Sequence, residues 1–207
     1  MQNSLTSGSV LKSILRFSLP YLLSYFLQTL YGMADLFLIG RYGGVDGTTA
    51  VSIGSQVMHM LTVMIVGLAM GATVMIGQAV GAQNRARANR YIGNAVTLFA
   101  GTAAVLTLTM LSLFGAVVRL MSTPAAAQAG TEAYLRICFA GLPFIIAYNV
   151  ISAIFRGMGD SKSPMYFIAA ACAANIGLDI LFMGPLALGP AGAALGTTLS
   201  QAFSVVL

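Results

Sequence analysis

A chain of 207 residues that is 58% hydrophobic and 7% charged, at a mean hydropathy of +0.88, is too apolar for a water-soluble domain and reads as an integral membrane protein. Its net charge of +5 and pI near 9.5 would suit a nucleic-acid partner, but the basic residues flank apolar runs and form no soluble basic face, which excludes nucleic acid. Cys138 and Cys172 sit inside apolar runs as small core residues, not as a disulfide or a metal pair, and the lone His59 leaves any metal site short of ligands, so no cofactor is expected.

A cytoplasmic segment, residues 1–13, precedes the first apolar run, which is too long for a signal-peptide core and has no small-residue cleavage site after it. Six apolar runs follow, at residues 14–39, 50–77, 92–118, 131–155, 164–184 and 191–207. Only helices and closed barrels satisfy their backbone in lipid, and these runs lack inside–outside alternation. They predict an all-α, six-helix membrane domain over residues 14–207. The breaks carry turn chemistry: Arg41-Tyr-Gly-Gly, Gly81-Ala-Gln-Asn, Ser122-Thr-Pro, Arg156-Gly-Met-Gly-Asp, and the pairs Gly184-Pro and Gly189-Pro. The sixth run reaches Leu207 without a charged stop, which predicts a helix cut short and a partial protein.

Basic residues orient the bundle. Lys12, Arg16, Arg85, Arg87, Arg90, Arg156 and Lys162 fall on one side, against Arg41, Arg119 and Arg136 on the other. That bias puts the N-terminus in the cytoplasm, in an inner (cytoplasmic) membrane. Tyr42, Tyr91, Tyr134 and Tyr166 are expected at the lipid–water interfaces.

Asp35 and Asp179 each interrupt an apolar run, where an ionised carboxylate costs about 2.5–3.5 kcal/mol at a helix centre. Such an acid is a functional-site candidate by default, on an ion or proton pathway. At about 1.5 Å per residue, Asp35 lies about 8 Å below the outer end of its span, and Asp179 and Thr197 about 9 Å below theirs. Asn175 is one turn deeper than Asp179 on the same face, and Gln56 reaches a similar level. Oxygen ligands of this kind suit a small hard cation such as Na+, and the acid pair equally suits a proton. The competing reading is structural: each polar side chain bonds a helix neighbour.

Ser24, Gln28, Tyr31 and Asp35 are spaced 4, 3 and 4 residues apart, which gives the first helix one polar face that should line a cavity. Pro20 below them removes a backbone hydrogen bond and predicts a kink, a hinge candidate as Asp35 changes charge. Gly67/Gly71, Gly77/Gly81 and Gly192/Gly196 have the spacing that lets helices approach closely.

These residues resemble a known family. Met33-Ala-Asp-Leu-Phe-Leu-Ile-Gly-Arg41 is similar to the first-helix signature of the MATE (multidrug and toxic compound extrusion) transporters. Gly77-Gln-Ala-Val-Gly-Ala-Gln83, Phe155-Arg-Gly-Met-Gly-Asp-Ser-Lys162, Asn175-Ile-Gly-Leu-Asp179 and Gly192-Ala-Ala-Leu-Gly-Thr-Thr198 follow in the family's order. The resemblance implies the N-terminal six-helix lobe of a twelve-helix secondary transporter driven by Na+ or H+ entry. It implies that Asp35, Asn175, Asp179 and Thr197 form the lobe's cation site, and that organic cations are the substrates. A missing C-terminal lobe, or a second copy of the chain, would complete the pathway within the bilayer.

Three other readings stand beside it. A flippase for lipid-linked oligosaccharides would show basic side chains in its cavity. An aspartyl protease of the membrane interior would use the Gly157-Met-Gly-Asp160 pattern, although a charged turn between Arg156 and Lys162 is the simpler account. A channel-forming fragment would assemble through its small-residue faces.

Overall fold

Gly43 and Gly44 turn the chain from the first helix straight into the second; the φ of +64° at Gly44 is open to glycine without strain. The structure, a computed structural model, describes residues 9–207. Its helices are α1 (Val10–Tyr42), α2 (Gly44–Gly81), α3 (Arg85–Leu120), α4 (Ala125–Ala140), α5 (Leu142–Gly157), α6 (Lys162–Met183) and α7 (Gly189–Val206). No strand occurs among the described residues. Of the expected 1–13 segment, residues 1–8 lie outside the described residues, and α1 already begins at Val10.

Among the described residues four helices (α1, α2, α3 and α6) are long and apolar enough to cross a membrane, and α4 and α5 are so only taken together, across a 48° bend. The fourth expected run is therefore divided between two helices. Pro143, in the first turn of α5, has no N–H to continue the α4 ladder. The sixth expected run becomes α7, which does not meet the same test because Thr197, Thr198, Ser200, Gln201 and Ser204 dilute its apolar residues.

The main core joins α2, α4, α5 and α7 around the fully buried Leu135, Phe139 and Leu142. Leu19, Phe37, Leu98 and Leu108 remain exposed on the outside, as lipid-facing side chains do. Tyr134 departs from the expected interface belt: it is buried in this core, its hydroxyl 3.1 Å from Ser55 Oγ. Gly54 makes room for its ring, which a Cβ at position 54 would strike. Cys138 and Cys172 are buried free thiols.

Candidate functional site

α1, α6 and α7 pack against one another, and their polar residues meet. Asp35 comes from α1, Asn175 and Asp179 from α6, and Thr197 from α7. The Thr197 hydroxyl donates to Asp35 Oδ2 at 3.2 Å. Asp179 and Asn175 face Asp35 across the α1–α6 contact. Asp35 is 3% exposed, Asn175 1% and Asp179 0%. Small size at one position permits this: a Cβ at Gly196 would run into Asp179 Oδ1.

The cluster is deficient in hydrogen-bond donors. Asp35 Oδ1, both Asp179 oxygens and both polar atoms of Asn175 have no partner. Ionised carboxylates only accept, so two side by side cannot satisfy each other. No lysine or arginine stands beside either acid. A shared proton supplies a donor, and a bound hard cation uses the same oxygens as ligands.

The site opens on a cavity of about 780 Å³ lined by α1, α2, α4, α5 and α7 and open on one side. Asp35 and Thr197 reach its wall, while Asp179 and Asn175 lie behind them. Gln28, Tyr31 and Gln56 line it too. Ser24 does not; it is buried, and its hydroxyl donates to the Pro20 carbonyl at 2.9 Å. Pro20 is buried inside an α1 that continues unbroken through it.

Several lining residues escaped the sequence reading. Ser52, Ser55, His59 and Thr62 join the expected Gln56 on one face of α2 along the cavity. Their spacing was the available signal, hidden because each residue is mildly polar and stands alone among apolar neighbours. Tyr148 and Asn149 of α5 also line the cavity, the Asn149 amide donating to the Ile145 carbonyl at 2.8 Å. Among the lining residues Asp35 is the one acid, and there is no lysine or arginine.

Asp160 has a structural occupation. Its Oδ1 accepts from the backbone N–H groups of Lys162 and Ser163 at 2.9 and 3.1 Å, and Oδ2 from the Ser163 hydroxyl at 2.6 Å. It thus caps the start of α6. Partial burial pushes its carboxyl up, but the hydrogen bonds from Ser163 and Lys162 outweigh this and hold it below the usual carboxylate range. The preceding glycine, Gly159, closes α5 with a φ of +88°.

Residues 20–181 match the family model described as MatE. The chain belongs to the MatE family. Over 95% of its length it is 34% identical to the probable multidrug resistance protein YpnP of Bacillus subtilis (strain 168), covering 44% of that relative. It is 31% identical to the probable multidrug resistance protein NorM of Thermotoga maritima, over 92% of the chain and 42% of that protein. The solved outward-facing conformation of a multidrug resistance MATE family transporter of the MOP superfamily superposes with a TM-score of 0.92 at 28% identity, over 98% of this chain and 45% of that one. A Pyrococcus furiosus MOP superfamily transporter, described as having a binding pocket of reverse polarity, superposes at 0.88 and 28%, over the same shares. The chain spans less than half the length of the relatives it matches.

MatE membership makes this a multi-pass membrane protein of a transporter family, with the all-α fold of one lobe. The protease reading loses its residue, because Asp160 serves as a helix cap in this MatE chain.

Proposed function

We propose that the protein is the ion-coupled N-terminal lobe of a secondary transporter that exports organic cations across the cytoplasmic membrane in exchange for H+ or Na+. The observation that carries this reading is the acid pair: two buried carboxyls from different helices, without basic partners, reaching a large cavity through Asp35. The relatives' names as multidrug resistance proteins support the export of drug-like molecules. A cavity with one acid, several tyrosines and no lysine or arginine suits lipophilic cations. That same lining argues against the flippase reading, which needs basic walls.

In this mechanism a proton or Na+ enters from outside and neutralises Asp35 and Asp179. The neutral pair tightens α1 against α6 and α7, and substrate held near Asp35 loses its counter-charge and leaves outward. Transport follows only from the ion's different affinity for the two states. A second lobe, or a second copy of this chain, covers the open side of the cavity within the bilayer, and the N-terminus lies in the cytoplasm.

In everted vesicles from cells expressing the protein, gradient-driven uptake of a fluorescent organic cation should collapse for Asp35→Asn at membrane levels equal to wild type. Running the assay under separate proton and sodium gradients identifies the ion. Unchanged gradient dependence in Asp35→Asn would refute the coupling role.

A further inference from the structure

A proton held between Asp35 and Asp179 also needs a way out. Below the pair, towards the other end of the lobe, α1 places Tyr31 and then Gln28, and α7 places Gln201 and then Ser204, each about one helical turn further on. Tyr31, Gln201, Gln28 and Tyr148 share one cavity wall, and Ser152 follows Tyr148 about one turn along α5. Tyr31 and Tyr148 pack in one cluster with Val205, the residue after Ser204. Tyr148 also donates to the Pro164 carbonyl at 3.4 Å, at the start of α6. Arg156, in the last turn of α5, neighbours Tyr148 and stacks over the Tyr21 ring at 5.3 Å. Tyr31, Gln28, Gln201 and Tyr148 form part of the cavity wall; Ser152, Ser204 and Arg156 continue beyond its floor.

Most hydroxyls in the lobe's helices bond their own backbone; those of this column do not, as is also true of Thr107 and Thr198. Thr29, Thr62 and Thr97 donate to the carbonyl four residues back, the usual arrangement in an apolar helix. Ser152 Oγ, Ser204 Oγ and Gln201 Oε1, all in buried residues, have no partner. Buried polar atoms left unsatisfied are destabilising, and bridging water removes that penalty. Three such atoms and two tyrosine hydroxyls lie between an acid pair and an arginine, where bridging water would join them.

We propose that Tyr31, Tyr148 and water held by Gln201 and Gln28 form a proton path from the acid pair to the inner face of the lobe, with Arg156 on Tyr21 as its gate. The proposal rests on Asp35 and Asp179 being the coupling site. Each hydroxyl or bridging water accepts a proton on oxygen and passes its own to the next oxygen. One proton leaves the acid pair, one emerges at the inner end, and no bond between heavy atoms changes. The fixed guanidinium charge opposes passage while Arg156 is seated, which prevents uncoupled leak.

The test uses the purified full chain in proteoliposomes containing a pH-sensitive dye, under an imposed pH gradient. Arg156→Gln should raise proton leak several-fold, and Arg156→Lys, which keeps the charge, should stay near wild type. Tyr148→Phe and Gln201→Leu should slow proton flux in the Arg156→Gln background, with thermal unfolding temperatures unchanged. Leak that does not rise in Arg156→Gln, or that ignores Tyr148→Phe, would overturn the path while leaving the coupling site standing. Asp35→Asn run alongside separates the two failures: flux indifferent to Asp35 would remove the coupling reading and the path with it. Equal stimulation of sodium flux at clamped pH would overturn the assignment to protons.

Discussion

Between α6 and α7 the backbone at Gly196 lies so close to Asp179 that an added Cβ would overlap Oδ1. The methyl group of Gly196→Ala must therefore push the acid away from Asp35 or push α7 away from α6. Overpacking of this kind destabilises by about 1–3 kcal/mol. Gly196→Ala should lower the thermal unfolding temperature in detergent and abolish ion-dependent transport. Gly71→Ala, which opens onto empty space, should change neither. Equal effects of the two substitutions would mean that the contact with Asp179 is not what matters at position 196. The three glycine pairs look alike in the sequence, yet only Gly192/Gly196 closes a tight helix contact at both members. The spacing shows that close approach is possible and is silent on which face meets a neighbour. Asp35 and Asp179 were legible because a charge in an apolar run is expensive wherever its helix packs. Ser152, Ser204 and Tyr148 were not, because hydroxyls are ordinary in membrane helices and gain meaning only from what lies across from them.

At the scale of elements, the break between α4 and α5 does more than bend a span. A Cβ at Gly141 would come within 2.5 Å of Thr198 Cγ2, so α7 fits into the notch left by the break. Thr198 adjoins Thr197, the donor to Asp35. The notch therefore sets the position of α7 at the level of Asp35. Gly141→Ala should displace Thr198, lengthen the Thr197–Asp35 contact and weaken ion-coupled transport, at a stability cost of about 1–3 kcal/mol. Adding Thr198→Ala should restore much of both, because it removes the clashing methyl. Thermal unfolding and transport of the two single variants and the double variant form a cycle, and additive losses would show that the two positions do not couple. Hydropathy located this span but could not divide it, since Gly-Leu-Pro reads the same in a kinked helix and in a broken one. It likewise found α7 as an apolar run without showing that its polar residues face inward.

The whole molecule has two ends that the contacts separate. Tyr42, Asp46, Ala126, Ala187 and Pro190 gather around a hollow of about 330 Å³ at one end. At the other, the Thr73 hydroxyl donates to the Ala153 carbonyl at 3.1 Å and Arg156 covers Tyr21. Lys12, Arg16, Arg85, Arg87, Arg90, Arg156 and Lys162 belong to the second end, against Arg41 and Arg119 at the first. Arg136 lies within α4 and stacks over Phe114 at 4.7 Å. Basic loops stay in the cytoplasm, so the hollow should face outward. In a background with Cys138 and Cys172 replaced by alanine, an impermeant thiol reagent should label Ala125→Cys on intact cells and Ala82→Cys only after permeabilisation. Both positions are exposed at helix ends, so neither outcome depends on local unfolding. The orientation fixes the sense of the chemistry. Asp35 lies within about two turns of the Tyr42 end of α1. With that end outside, the coupling ion reaches the acids from outside and the Arg156 end faces the cytoplasm. The reverse labelling pattern would put the acids under the cytoplasmic surface, and an inward ion gradient could then no longer load them first.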